Sequence, residues 1–141
     1  MDTVAPSLVL CKWLTGGSAK LPRRTTTRHT AIKQRSSCAV ASTLDLVGDK
    51  WSLLVIRDLL HGKHTYGEIL RSPEGIPTNI LADRLARLEH AGIIASEAYQ
   101  ERPVRYAYSL TPKGRDLGDV VLALVRWGRK HIPGTRTLRE K

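Results

Sequence analysis

The stretch from Thr65 to Gly92 constrains the fold more tightly than any other part of this chain. Thr65-Tyr66-Gly67-Glu68 reads as a capping box, in which the threonine hydroxyl and the glutamate carboxylate satisfy each other's exposed amides at a helix start. The helix it opens is short: it runs through Ile69 and Leu70 and is broken by Pro73 and Gly75. A second helix is predicted from about Pro77-Thr78 to Ala91, with Leu81, Leu85 and Leu88 on one side and Gly92 as its stop. Two helices joined by a few Pro- and Gly-bearing residues make a helix-turn-helix pattern, which many helical hairpins imitate. The segment after Gly92 separates it from them. Residues 94–100 and 105–110 read as strands, and in the second Tyr106, Tyr108 and Leu110 alternate with Arg105, Ala107 and Ser109. Glu101-Arg102-Pro103-Val104 is a turn-like link, and a hairpin placed directly after the second helix is a wing.

The flanks complete the architecture. Leu44 and Val47 mark a short helix stopped near Gly48. Asp49 is a candidate N-cap for the next helix, where Trp51, Leu54, Val55 and Leu59 recur at three- and four-residue steps. Leu53, Ile56 and Leu60 widen that stripe, so this helix is predicted to be the buried centre, ended by Gly62. After the hairpin, Thr111-Pro112 supplies an N-cap and a proline at the first helical position. One last helix is predicted to carry Leu117, Val120, Val121, Leu124 and Trp127 and to stop before Pro133. The predicted class is mainly α with a small β-hairpin (α+β): four helices, a hairpin and a helix.

A length of 141 residues leaves room for one domain. The formal charge of +10 suggests an anionic partner, but its distribution matters more than its total. Residues 1–35 hold seven basic side chains against Asp2 alone, a net +6, and residues 127–141 hold five against Glu140, a net +4. The stretch 36–126 is therefore neutral, so any anion-binding face in the core depends on where its arginines lie. Residues 1–36 show no sustained period and read as a basic, disordered arm, residues 37–133 as the folded domain, and residues 134–141 as a basic tail. Leu8-Val9-Leu10-Cys11 faintly imitates a lipoprotein cleavage site, but Asp2 without a Lys or Arg before it and the bulky Leu10 argue against a signal. The Arg- and Thr-rich, acid-poor stretch 12–36 also imitates a transit peptide, a lesser reading. Two cysteines, Cys11 and Cys38, make neither a disulfide framework nor a four-ligand zinc site. A reduced, cytoplasmic setting is expected. No apolar run approaches the roughly 18–20 residues of a membrane span, so no membrane partner is expected.

From Cys38 to about Ile132 the chain resembles the HxlR-type regulators, winged-helix transcription factors related to the MarR group. The resemblance lies in Cys38-Ala39-Val40, Gly48-Asp49-Lys50-Trp51, Tyr66-Gly67-Glu68-Ile69, Gly75-Ile76 through Arg84-Leu85, Glu89 and Gly92-Ile93-Ile94. It continues through Arg105-Tyr106-Ala107-Tyr108-Ser109-Leu110-Thr111-Pro112-Lys113-Gly114. Joint order and spacing make it specific. Pro77 stands where the family usually has Ser, and Asn79 where it often has a basic residue, which bears on base contacts and not on the fold. The resemblance implies a winged-helix domain dimerising through its terminal helices. It also implies a sequence-specific regulator that binds duplex DNA at a pseudo-palindrome as a homodimer, most commonly a repressor. Cys38 occupies the family's cysteine position, which some relatives use to sense oxidants or electrophiles. The exposed amides of the following helix favour an anionic sulfur there, while the plainer reading is a small buried apolar residue. A small-molecule or oxidant effector is expected without its identity.

On the second helix of the motif, successive residues turn by about 100°. That places Asn79, Ala82, Asp83, Ala86 and His90 opposite the leucines, with Arg87 flanking them. Base contacts come mainly from the N-terminal half of such a helix, so Thr78, Asn79 and Asp83 are the candidate readers. Asn79 suits adenine and the small Ala82 suits approach to a thymine methyl. Asp83 has a second reading as the partner of Arg87 one turn on, and Arg84 one as a structural bridge. Arg102 and Arg105 bracket the wing and, with Lys63 and the tails, are expected on phosphates or in the minor groove. His61 and His64 are too few for a metal site, no metal or cofactor is expected, and no nucleophile elbow, phosphate loop or paired carboxylates suggest an enzyme. The rival function is a winged helix that binds protein, since the fold does not dictate the function.

Overall fold

In the computed structural model, which describes residues 34–137, four helices, a hairpin and two further helices succeed one another. The helices before the hairpin are α1 (Ala39–Val47), α2 (Ser52–Leu60), α3 (Tyr66–Leu70) and α4 (Thr78–His90). The strands are β1 (Ile94–Glu101) and β2 (Val104–Leu110), and the chain ends in α5 (Pro112–Asp116) and α6 (Gly118–His131). Most of the basic arm and the end of the tail lie outside the described residues. Gln34 and Arg35, bounded into the arm from the sequence, are tied to α1: Gln34 Nε2 donates to Ser42 Oγ at 2.7 Å and Arg35 Nε to Asp45 Oδ1 at 2.5 Å.

Helix α2 is the buried centre that its periodicity predicts. Val55, Ile56 and Leu59 face inward and meet Ile69 of α3, Leu81, Leu85 and Leu88 of α4, and Ile93, Ile94, Tyr108 and Leu110 of the hairpin. Removing such side chains from water stabilises the domain by roughly 1.5–3 kcal/mol each. The regular turns of α2 begin at Ser52, later than the expected cap, yet Asp49 still caps it: its Oδ2 accepts the amides of Trp51 and Ser52 at 3.0 and 3.1 Å.

The hairpin is antiparallel, with Ile94 opposite Leu110 and Glu101 opposite Val104. A register shift between Ala98 and Gln100 leaves Tyr99 as an extra, exposed residue, a bulge that strict alternation does not foresee. Thr65 bridges to Ala107, and the Tyr108 amide donates to the His64 carbonyl at 2.7 Å, so the lead-in to α3 adds a short third edge to the wing.

The C-terminal helix differs from its prediction by a break at Leu117. Thr111 caps α5 by accepting the Gly114 amide, and Gly114 packs so close to the chain after α4 that a Cβ there would overlap the Ile93 carbonyl oxygen. That close approach sets α5 against the chain between α4 and the hairpin. Leu117 and Val121 reach the core, but no residue of α6 is buried.

Candidate nucleic-acid interface

The capping box forms as the sequence predicts. The Glu68 amide donates to Thr65 Oγ1 at 3.3 Å, and Glu68 Oε2 accepts the amides of His64 and Thr65 at 2.8 and 3.0 Å. Those two amides, His64 first, hold the Glu68 carboxyl below its ordinary range. From this start, the Tyr66 hydroxyl donates to the Thr78 carbonyl at 2.7 Å and links α3 to the first turn of α4.

Helix α4 is secured at its other end and along its flank. Lys113 Nζ donates to the Ala91 carbonyl at 2.7 Å, a cation on the negative end of the helix, and the Ser96 hydroxyl donates to Glu89. On the flank, Arg84 Nε lies 2.9 Å from Asp49 Oδ2, an ion pair without the alignment of a hydrogen bond. Burial pulls the Asp49 carboxyl upward. The Ser52 hydroxyl, the Trp51 amide and Arg84 outweigh it and hold the group below its ordinary range. Arg84 is thus the structural bridge that the sequence suggests. Its Nη1 also donates to Asp83 Oδ2 at 3.1 Å, so the side chain that engages Asp83 is its neighbour and not Arg87 one turn on.

With Leu81, Leu85 and Leu88 buried to within 1% of full burial, the other side of α4 turns outward. Thr78, Asn79 and Asp83 are exposed, and Ala82, Ala86 and Arg87 are half-buried beside them. Arg102 and Arg105 are exposed at the wing turn. Of the three hairpin tyrosines, Tyr106 and Tyr108 are turned into the protein to different depths and Tyr99 is open to solvent.

Lys63 departs from its expected place on phosphates. Its ammonium donates to Ser72 Oγ at 2.5 Å and lies 3.5 Å from Asp58 Oδ2, a carboxylate 2% exposed that draws in this second cation besides Arg57. Asp58 also accepts the Ser72 hydroxyl and, at 2.8 Å, Arg57 Nη2, while Arg57 makes a fork to Glu74 at 2.7 and 2.9 Å. Burial pulls the Arg57 pKa down, but Glu74 and Asp58 raise it on balance, and Arg57 in turn holds Glu74 low. This network clamps α2 to the turn between α3 and α4, and sequence reasoning missed it. The available signal was a charged residue three positions after Val55, on the buried side of an apolar helix.

The histidines part company: His61 Nδ1 meets the Arg57 carbonyl at 2.8 Å and His64 Nδ1 the Tyr108 carbonyl at 3.2 Å. Cys38 is exposed at the N-cap of α1, against the plainer expectation of a buried residue. Among the described residues no helix is long and apolar enough to cross a membrane.

The model of the HxlR-like helix-turn-helix family matches residues 46–136. The chain belongs to that family. It is a DNA-binding transcription regulator and not an enzyme. An uncharacterized HTH-type transcriptional regulator of Synechocystis sp. is 37% identical over 109 residues, 71% of this chain and 81% of the relative. A second, from Mycobacterium bovis, is 36% identical over 95 residues, 67% of this chain but only 60% of the longer relative. Among solved structures, the redox regulator HypR in its oxidized form is similar at a TM-score of 0.61 and 34% identity, covering 72% of this chain and all of that one.

Proposed function

We propose that the protein reads a pseudo-palindromic operator as a homodimer and represses transcription by occluding it. One observation carries the reading: α4 is anchored at both ends and on its flank while Thr78, Asn79 and Asp83 stay open to solvent. A helix so fixed offers the same side chains to each base edge in a major groove, at little cost in order on binding. Asn79 pairs with adenine, Ala82 lies against a thymine methyl, and Arg87, Arg102 and Arg105 meet phosphates or the minor groove. Lys63 has a smaller part in that set than its position in the sequence suggests, given its inward partners.

Two copies are supported by α6 and α1. Val120, Leu124 and Trp127 are 38%, 53% and 61% exposed in the single chain, as are Leu44 at 51% and Val40 at 68%. A fourteen-residue helix with no buried residue is marginal alone and is stabilised by a second copy packed two-fold against it.

Selection of duplexes from a random library tests the reading. The wild type should yield a two-fold symmetric motif, and Asn79→Ala should lose roughly 1–3 kcal/mol of preference at one position per half-site. An unchanged motif with Asn79→Ala removes this assignment of the reading face. A chain that enriches no sequence removes the operator.

Cys38 supports an oxidant-responsive arm of the same function, since it is exposed at the start of α1 and HypR is a redox regulator. Diamide should then lower affinity for the selected duplex in the wild type and leave Cys38→Ser unaffected. Equal loss in both proteins excludes Cys38 as the sensor.

A further inference from the structure

Asp49 stands in the turn between α1 and α2, outside α4 itself, and serves two elements at once. Its carboxylate is pinned by the amides of Trp51 and Ser52 and by the Ser52 hydroxyl, so it is a stationary anion. Arg84 joins that anion to a second carboxylate. Its Nε lies 2.9 Å from Asp49 and its Nη1 3.1 Å from Asp83. Arg84 is the most covered of the three, 17% exposed, against 26% at Asp49 and 50% at Asp83, so the outer carboxylate is the one open to solvent. The ion pair at Nε is not a directed hydrogen bond, but it keeps one edge of a planar guanidinium beside Asp49 and so leaves the other edge toward Asp83, a restriction that a lysine ammonium on a flexible stem does not give. The arrangement meets two difficulties of an aspartate on a DNA-reading helix. Arg84 offsets the repulsion between Asp83 and nearby phosphates, and it restrains a side chain that otherwise samples several rotamers. Asp83 keeps oxygen lone pairs for a second donor; the major groove offers the adenine N6 and cytosine N4 amines, and an acceptor-only carboxylate suits cytosine, which lacks the N7 acceptor that adjoins the adenine amine.

We propose that Asp83 reads cytosine and that Asp49, acting through Arg84, is the positioning residue that aims it. This rests on the reading of α4 as the base-contacting helix.

The experiment compares motifs selected from a random duplex library by the full-length wild type, Asp83→Ala, Asp49→Asn and Arg84→Gln, each checked for folding by circular dichroism. Asparagine at position 49 keeps an oxygen for the helix cap and removes the charge that holds Arg84, which separates the two roles. Asp83→Ala should lower the preference for cytosine at one position per half-site by about tenfold. Asp49→Asn and Arg84→Gln should blur that same position several-fold, and a protein carrying both Asp49→Asn and Arg84→Gln should be no worse than Arg84→Gln alone. The adenine preference assigned to Asn79 and the affinity for a scrambled duplex should be kept. A merely structural Asp49 would blur every position together or none, and either result overturns the inference while α4 still reads DNA. Unchanged cytosine preference with Asp83→Ala also overturns it. If Asp49→Asn does not fold, Arg84→Gln decides alone by the same position-specific criterion. A wild type that selects no motif overturns the DNA reading and this inference together.

Discussion

The Tyr66 hydroxyl donates to the Thr78 carbonyl at 2.7 Å, joining the first residue of α3 to the first residue of α4. These helices meet across a turn containing Pro73, Gly75 and Pro77, which sets no single angle by itself. The bond supplies that constraint, because α3 is in turn fixed to the wing edge through its capping box and the Thr65–Ala107 bridge. Tyr66→Phe removes the donor and keeps the ring. It should cost about 0.5–1.5 kcal/mol in urea unfolding and weaken selected DNA more than scrambled DNA. Equal weakening of both duplexes would show that the bond does not aim the helix.

The Asp58 network predicts a different pattern. Asp58→Ala leaves Arg57 and Lys63 without their central anion and should destabilise the domain by about 3 kcal/mol or more. Lys63→Met separates the two readings of that lysine. A structural role lowers the urea midpoint, whereas a phosphate contact lowers affinity for any duplex and flattens its salt dependence by about one counterion.

The fold is legible in the sequence wherever a local rule has one answer. The Thr65–Glu68 box, the glycine stop after α4 and the leucine side of α4 stand where those rules put them. The features that escape such reading depend on residues distant in the chain. Nothing near Arg84 in sequence names Asp49 as its partner, and four-residue spacing points Asp83 to Arg87 when its neighbour is closer. The Lys63 loop reads as a solvated basic segment until folding brings Asp58 and Ser72 beneath it. The close approach of Gly114 to the chain after α4 and the break at Leu117 are likewise features that periodicity within the helix does not report.

That contact is itself testable. A Cβ on Gly114 would overlap the backbone oxygen of Ile93, which is held in place by the hydroxyl and amide of Thr111. Although alanine favours helix, Gly114→Ala should lower stability by about 1–3 kcal/mol through overpacking. A rise in the melting midpoint would mean that α5 can shift without cost.

Acid should unfold the domain over a defined range. Glu68, Glu74 and Asp49 are all held below their ordinary values, by the His64 and Thr65 amides, by Arg57, and by the Ser52, Trp51 and Arg84 donors that outweigh burial. A carboxylate lowered on folding contributes stability that is present above its unfolded pKa and lost as pH falls through its folded one. The melting midpoint should therefore fall steeply below about pH 4. Glu74→Gln should start lower and fall less steeply, and an identical slope would place the acid-sensitive group elsewhere.

The dimer can be tested without disturbing the single-chain core. Leu124 lies on the open face of α6, 53% exposed, while the core contacts of this helix come from Val121 and the preceding Leu117. A charge at position 124 therefore opposes a second copy far more than it opposes folding, since burying an unpaired carboxylate in an apolar interface costs several kcal/mol. In sedimentation velocity with reductant present, the wild type at micromolar concentration should run as a dimer and Leu124→Glu as a folded monomer with native circular dichroism. The monomer should still bind scrambled DNA through its basic side chains, but it should lose the gain that two linked half-sites provide, commonly about 10²-fold or more. A wild type that runs as a monomer, or a Leu124→Glu protein that stays dimeric, would place the apolar side of α6 outside the two-fold interface.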